Sequence, residues 1–247
     1  MKFDFTKVVF VGDSLVDDTT NVNVKPNLDI SSGKSDVSEG TNVGINYFQW
    51  DSSNHWSYTL ARVFDFDYKN TAYCGKPIKE IFEQHLNEWI FDHDPTFVFI
   101  DGGVNDVGNF GISADNAVEY MRQTIQTVLD KGIQVGFIWF PVDSSKFLGS
   151  TKSNIVYLPA KYNTMANNFK TSYPDDFIYF NFEGITNFGT TSTGSSTIPQ
   201  DYRRDGLHFN QAGYKITAEY MIQKIKEADS SLSDMQVEAG ASVIIRG

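Results

Sequence analysis

Five short runs with strand character recur along this chain, and each is followed by a stretch with helical spacing. The runs are Lys7 to Gly12, Phe66 to Lys69, Thr96 to Ile100, Ile133 to Phe140 and Phe177 to Phe180. The intervening helices are expected over Asn54 to Phe64, Pro77 to about Phe91, Ala114 to Lys131, Leu158 to Thr171 and Gln211 to Ala228. In the first of these, Trp56, Leu60 and Phe64 fall at four-residue steps and so share one helix face. A run such as Val8-Val9-Phe10-Val11 has no polar alternate face to show to water, so it must be covered on both sides, as strands of parallel sheets are. Parallel neighbours need a crossover, which is right-handed and normally helical. The alternation therefore predicts an α/β fold, with a mainly parallel five-stranded sheet between two helical layers in an α/β/α sandwich.

The 247 residues, 40% hydrophobic and 15% aromatic, can fill one such core. A single domain over residues 1–229 is expected. It carries a long Asn/Ser/Gly/Asp-rich loop at about 20–48, with a tail over 230–247 that ends in the β-like Ala241-Ser242-Val243-Ile244-Ile245-Arg246 and could join copies into an oligomer. A net charge of −11 disfavours nucleic acid and anionic lipid as partners. One cysteine, Cys74, excludes an internal disulfide. No apolar stretch approaches the roughly 18 residues of a membrane helix, so no transmembrane segment is expected. Met1-Lys2-Phe3-Asp4-Phe5 lacks the layout of a signal peptide, which fits a cytosolic protein or a secreted one whose leader has been removed. The absence of an Asn-x-Ser/Thr acceptor speaks against a glycosylated secretory product.

In parallel sheets, functional groups gather beyond the carboxyl ends of the strands. Ser14 follows the first run in Phe10-Val11-Gly12-Asp13-Ser14-Leu15, and Asp205-Gly206-Leu207-His208 stands just before the last helix. A serine hydroxyl becomes a nucleophile when a histidine takes its proton, and a carboxylate fixes that histidine's tautomer. The three-residue spacing lets Asp205 curl back to the imidazole Nδ1 of His208. A serine or aspartate at such a turn can also be a simple helix cap. His55, His85 and His93 are read as surface or satisfied core histidines. Acyl transfer further needs donors to the oxyanion. Gly75, closing Asn70-Thr71-Ala72-Tyr73-Cys74-Gly75, and Asn105, in Gly103-Val104-Asn105-Asp106, follow the next strands of the same sheet and could supply a backbone N–H and a side-chain amide.

Taken together these blocks resemble the SGNH hydrolases, also called the GDSL lipase/esterase family. Ser14 matches the family's nucleophile, Gly75 and Asn105 its oxyanion-hole glycine and asparagine, and Asp205 and His208 its final Asp-x-x-His. The resemblance runs in the family's order from residue 8 to about residue 215. It implies a flavodoxin-like fold and serine-dependent ester hydrolysis without metal or cofactor, the oxyanion resting on the N–H groups of Ser14 and Gly75 and on the Asn105 amide. The segment Phe48 to Trp56 is similar to one in the longer, lipase-like branch, which implies lipid or fatty-acyl esters, with acetylated polysaccharide as the second substrate class.

Other readings are weaker. Asp65-Phe66-Asp67 suggests a phosphatase, but Lys69 stands where Thr or Val is required. Cys74 reads as a packed small residue. A glycan-binding or adhesion module on the same scaffold would not need all five site residues. Asp17-Asp18 and Asp175-Asp176 read as solvated turns rather than metal ligands. Tyr47, Phe48, Trp50 and Trp139 could line an acyl groove or stack on sugars, although aromatics in such folds are usually core.

Overall fold

A computed structural model describes residues 2–16, 55–140, 142, 148–182, 202 and 208–232. Five strands, β1 (Lys7–Val11), β2 (Asp67–Asn70), β3 (Phe97–Ile100), β4 (Gln134–Trp139) and β5 (Phe177–Asn181), form one sheet in the order β2-β1-β3-β4-β5. All four pairings are parallel. This is the 2-1-3-4-5 order of flavodoxin-like folds, in which the chain reverses its direction of winding between β1 and β3. That switch point opens a crevice, and the loops after β1 and β3 border it.

The helices are α1 (Trp56–Phe64), α2 (Ile78–Glu80), α3 (Leu86–Trp89), α4 (Val104–Gly108), α5 (Ala114–Leu129), α6 (Gly149–Ser172) and α7 (Gln211–Ala228). α1 packs with α7 on one face of the sheet, and α5 packs with α6 on the other. Aromatic rings weld the layers. Phe10 and Phe99, directly paired across β1 and β3, stack at 4.7 Å, and the Trp56 ring of α1 meets Phe10 edge-on at 5.4 Å. On the opposite face Phe137 of β4 stacks on Tyr179 of β5 and meets Tyr162 of α6. Trp139 is buried, which assigns it to the core. β4 makes room for the Phe97 and Phe99 rings by carrying Gly136 beside them, where a Cβ would lie 2.8 Å from Phe99.

Some boundaries differ from expectation. The Pro77 to Phe91 stretch is not one helix: α2 passes into a wide turn of π-helix over Ile81–His85, then α3 and a 3-10 turn, Phe91–His93. α6 begins at Gly149 rather than Leu158 and carries Pro159 in its interior, where the lost donor is set against the apolar burial of that proline with Ile155, Leu158 and Tyr162. The loop after β3 contains the short helix α4, reached through Gly102 and Gly103 at φ +154° and +101°. Beyond α7, Ser230–Leu232 form a 3-10 turn with Leu232 buried, while Asp229 accepts the N–H groups of Lys2 and Phe3. The expected 20–48 loop and residues 233–247 lie outside the described residues.

Gly103 allows a strong test of this packing. A Cβ there would sit 2.0 Å from the Tyr162 hydroxyl, on a backbone that already disfavours side chains. Gly103→Ala is expected to destabilise the protein by about 3 kcal/mol or more, read as a lower urea midpoint at unchanged slope. An unchanged midpoint would show that the α4–α6 contact is loose.

Candidate active site

The turn after β1 is built by its own aspartate. Asp13 Oδ1 accepts the Leu15 N–H at 3.0 Å and the Asp13 carbonyl accepts Val16 N–H at 3.1 Å, so the chain reverses tightly and Ser14 stands at the apex, half-buried. Its neighbours are locked from two sides: Trp56 Nε1 donates to Leu15 O at 3.1 Å, and Asn70 Nδ2 to Val16 O at 2.7 Å. Asn70, Thr71 and Tyr73 thus serve the serine turn structurally. Thr71 N–H and Tyr73 N–H donate to Phe10 O and Gly12 O, continuing the β1–β2 ladder past the strand ends.

His208, just before α7, brings Nε2 to 2.8 Å from Ser14 Oγ. The two residues are 194 positions apart, so this contact is made by the fold alone. α7 is fixed at that end by Asn210, whose side chain accepts Gly213 N–H at 3.0 Å. Asp205, the expected partner of His208, lies outside the described residues.

Asn105 lies on α4, buried. Asp13 Oδ2 and the Lys76 carbonyl can only accept, so the amide nitrogen faces them, at 3.0 and 3.4 Å. The amide oxygen accepts Asn109 Nδ2 at 2.6 Å. One amide hydrogen is therefore firmly held by the residue preceding Ser14, and the second is loosely held by the residue following Gly75. Gly75 itself has φ +80° and open space where its Cβ would be, with nothing within 4 Å. Glycine is needed here for the backbone conformation rather than for want of space.

Three buried carboxyls around this point carried no assigned role in the sequence. Asp106 Oδ2 and Oδ1 accept the N–H groups of Ile78 at 2.7 Å and Lys79 at 3.0 Å, fastening the start of α2, and hence the Gly75 loop, to the residue after Asn105. Burial pushes its carboxyl up to about 6, against those two N–H groups, which favour the charge. Asp13 and Asp101 are each 1% exposed, and burial raises both, Asp101 strongly. An acidic residue closing a run as apolar as Phe97 to Ile100 was the available signal.

The remaining histidines do not join this group through any described contact. His55 is the buried N-cap of α1, its Nδ1 accepting Ser57 N–H at 3.2 Å, and burial depresses it to about 3. His85 stacks on Trp89 at 4.4 Å between Glu80 and Glu88. Cys74 is half-buried. Among the described residues no cluster of three or more His, Cys, Asp or Glu could hold a metal ion, and no helix is long and apolar enough to cross a membrane.

The fold is similar to several solved structures at low identity. The psychrotrophic esterase EstA from Pseudoalteromonas sp. is 14% identical, with a TM-score of 0.55 over 90% of this chain and 97% of that one. The acetylxylan esterase Axe2 from Geobacillus stearothermophilus is 13% identical, with a TM-score of 0.60 over 91% and 96%. A family two carbohydrate esterase from Clostridium thermocellum is 14% identical, with a TM-score of 0.56 over 90% of this chain and 63% of that one. No curated protein sequence matches the chain. The family model for GDSL-like Lipase/Acylhydrolase matches residues 8–221, spanning β1 to α7. The chain therefore belongs to the GDSL-like lipase/acylhydrolase family and is a carboxylic ester hydrolase.

Proposed function

We propose that the protein cleaves acyl esters through an acyl-enzyme on Ser14, with His208 as its base and Asp205 behind the imidazole. The observation that carries this reading is the 2.8 Å contact between His208 Nε2 and Ser14 Oγ. With Nδ1 protonated, Nε2 accepts the hydroxyl hydrogen as Oγ adds to the ester carbonyl, and the imidazolium then gives that proton to the departing alcohol. The oxyanion is met by the N–H groups of Ser14 and Gly75 and by the loosely held hydrogen of Asn105 Nδ2. Water, deprotonated by His208, then releases the acid and restores Ser14.

The acyl group is proposed to be a fatty chain. Phe110, 55% exposed, follows directly on α4, its backbone N–H donating to the main-chain carbonyl of Asn105 at 3.1 Å, so the segment that carries the proposed oxyanion donor also carries an exposed apolar side chain. Each acyl methylene that it or its neighbours cover would contribute about 0.8 kcal/mol, roughly fourfold in kcat/KM. A series of p-nitrophenyl esters from acetyl to longer acyl groups is expected to show kcat/KM rising with length. The second reading, deacetylation of a glycan, is supported by the likeness to an acetylxylan esterase. Release of acetate from acetylated xylan, with kcat/KM falling beyond the acetyl ester, would replace the first reading by the second.

A further inference from the structure

Asp13 and Asp101 form a pair that the Ser–His chemistry does not require. Val11 pairs with Ile100 at the ends of β1 and β3, so the chains emerge side by side, and a Cβ on Gly12 would lie 3.0 Å from Asp101 O and 3.3 Å from Asp101 Cβ. Each Asp13 oxygen has a donor, Leu15 N–H on Oδ1 and Asn105 Nδ2 on Oδ2, both at 3.0 Å. Asp101 Oδ2 is buried and receives no N–H or hydroxyl. Asp101 does accept the Gly102 N–H and shares a side-chain hydrogen bond with Asp13, but a carboxylate with one oxygen left without a donor is costly to bury, above all beside another carboxylate. A carboxylic acid is less so, because it brings a proton of its own to donate. We propose that Asp101 is a neutral carboxylic acid that donates its proton to Asp13, and that this acid pair positions the Asn105 amide.

The surroundings decide which member keeps the charge. Burial raises both groups, but the Leu15 N–H, the charge of His208 and the Asn105 amide favour ionised Asp13, whereas at Asp101 the Asp13 charge further disfavours ionisation and outweighs the one opposing donor, the Gly102 N–H. Among the described residues the other titratable groups facing the pair are Asp106 on α4, whose carboxylate also interacts with Asp13, and Tyr162 on α6, whose buried hydroxyl donates to Gly102 O at 3.2 Å. The result is one negative charge rather than two. An ionised acceptor grips an amide N–H more strongly than a neutral one, so Asp13 fixes one Asn105 hydrogen and thereby the plane of the amide, which aims the second, only loosely held by Lys76 O at 3.4 Å, for use by substrate. Asp101 is thus a positioning residue. It acts through Asp13 on Asn105, and the inference rests on Asn105 being an oxyanion donor.

Infrared difference spectroscopy at about pH 8, where Asp106 is ionised, tests the proton directly. The parent should show a protonated carboxylic-acid carbonyl band that is lost in Asp101→Asn; a parent without that band overturns the acid pair whatever Asn105 does. Kinetics test the positioning. Asp101→Ala should lower kcat roughly tenfold with KM little changed, and Asp101→Asn, whose amide can still donate to Asp13, should recover most of the loss. In an Asn105→Ala background the Asp101→Ala change should cost little more, since both act on one group. Full additivity would overturn the positioning role, as would an Asn105→Ala variant of undiminished kcat, which would also remove Asn105 from the oxyanion site while leaving the infrared result to stand alone. The pH dependence has a definite sign. Because folding raises Asp101, its contribution to stability is present at low pH and lost as pH rises through its folded value, so Asp101→Asn should gain stability over the parent on alkalinisation.

Discussion

Ser14→Ala is expected to lower kcat by roughly a millionfold while leaving the unfolding transition unchanged. The large effect follows from what the hydroxyl does in the proposed cycle: without Oγ no acyl-enzyme forms, and only binding and oxyanion stabilisation are left. The small effect on stability follows from the packing. The Ser14 side chain is half-buried at the turn's apex, and the groups that hold the turn are Asp13, Trp56 and Asn70. His208→Ala should cost about as much, and the double variant no more than either, because the two side chains act as one unit. Turnover of a p-nitrophenyl ester by the three variants, beside their urea unfolding curves, checks all of this. Multiplying losses in the double variant would mean that serine and histidine act separately.

Asn105→Ala should reduce kcat by about a hundredfold to a thousandfold with a smaller change in KM. The amide is proposed to bind charge that exists only once Oγ has added, so its loss is felt in the transition state more than in substrate binding. Two neighbours keep the rest of the site in place in this variant: Asp106 still fastens α2 through Ile78 and Lys79, and Asp13 still caps Leu15. The buried Asp13 oxygen that loses its amide donor should lower stability by about 1–3 kcal/mol. A KM rise at constant kcat would instead assign Asn105 to ground-state binding.

The parallel sheet was readable because β1 and β3 are apolar on both faces, a pattern that only a doubly covered strand can bear. The last helix, Gln211–Ala228, was readable to its ends, where Asn210 caps it. Elements set by non-local contacts were not. Helical spacing over Pro77 to Phe91 carries no sign of the wide turn at Ile81–His85, where His85 stacks on Trp89 and pairs with Glu80. Helical spacing was read only from Leu158, yet α6 begins at Gly149 and runs on through the buried Pro159. Of the candidate site residues, Ser14 and His208 meet directly, and Asn105 is tied to both neighbouring loops through Asp13 and Lys76. The role of Asp101 depends on β1–β3 register, which sets Asp101 beside Gly12 and so next to the turn that carries Asp13, almost ninety residues away in the chain.

Trapping the covalent intermediate tests the central claim most directly. Mixing enzyme with excess p-nitrophenyl ester should release a burst of about one p-nitrophenol per enzyme when deacylation is slower than acylation. Acid quenching followed by peptide mass analysis should place the acyl group on the peptide containing Ser14, and His208→Ala should abolish the adduct. An acyl group found on another residue, or steady ester cleavage in the Ser14→Ala variant, would contradict the account.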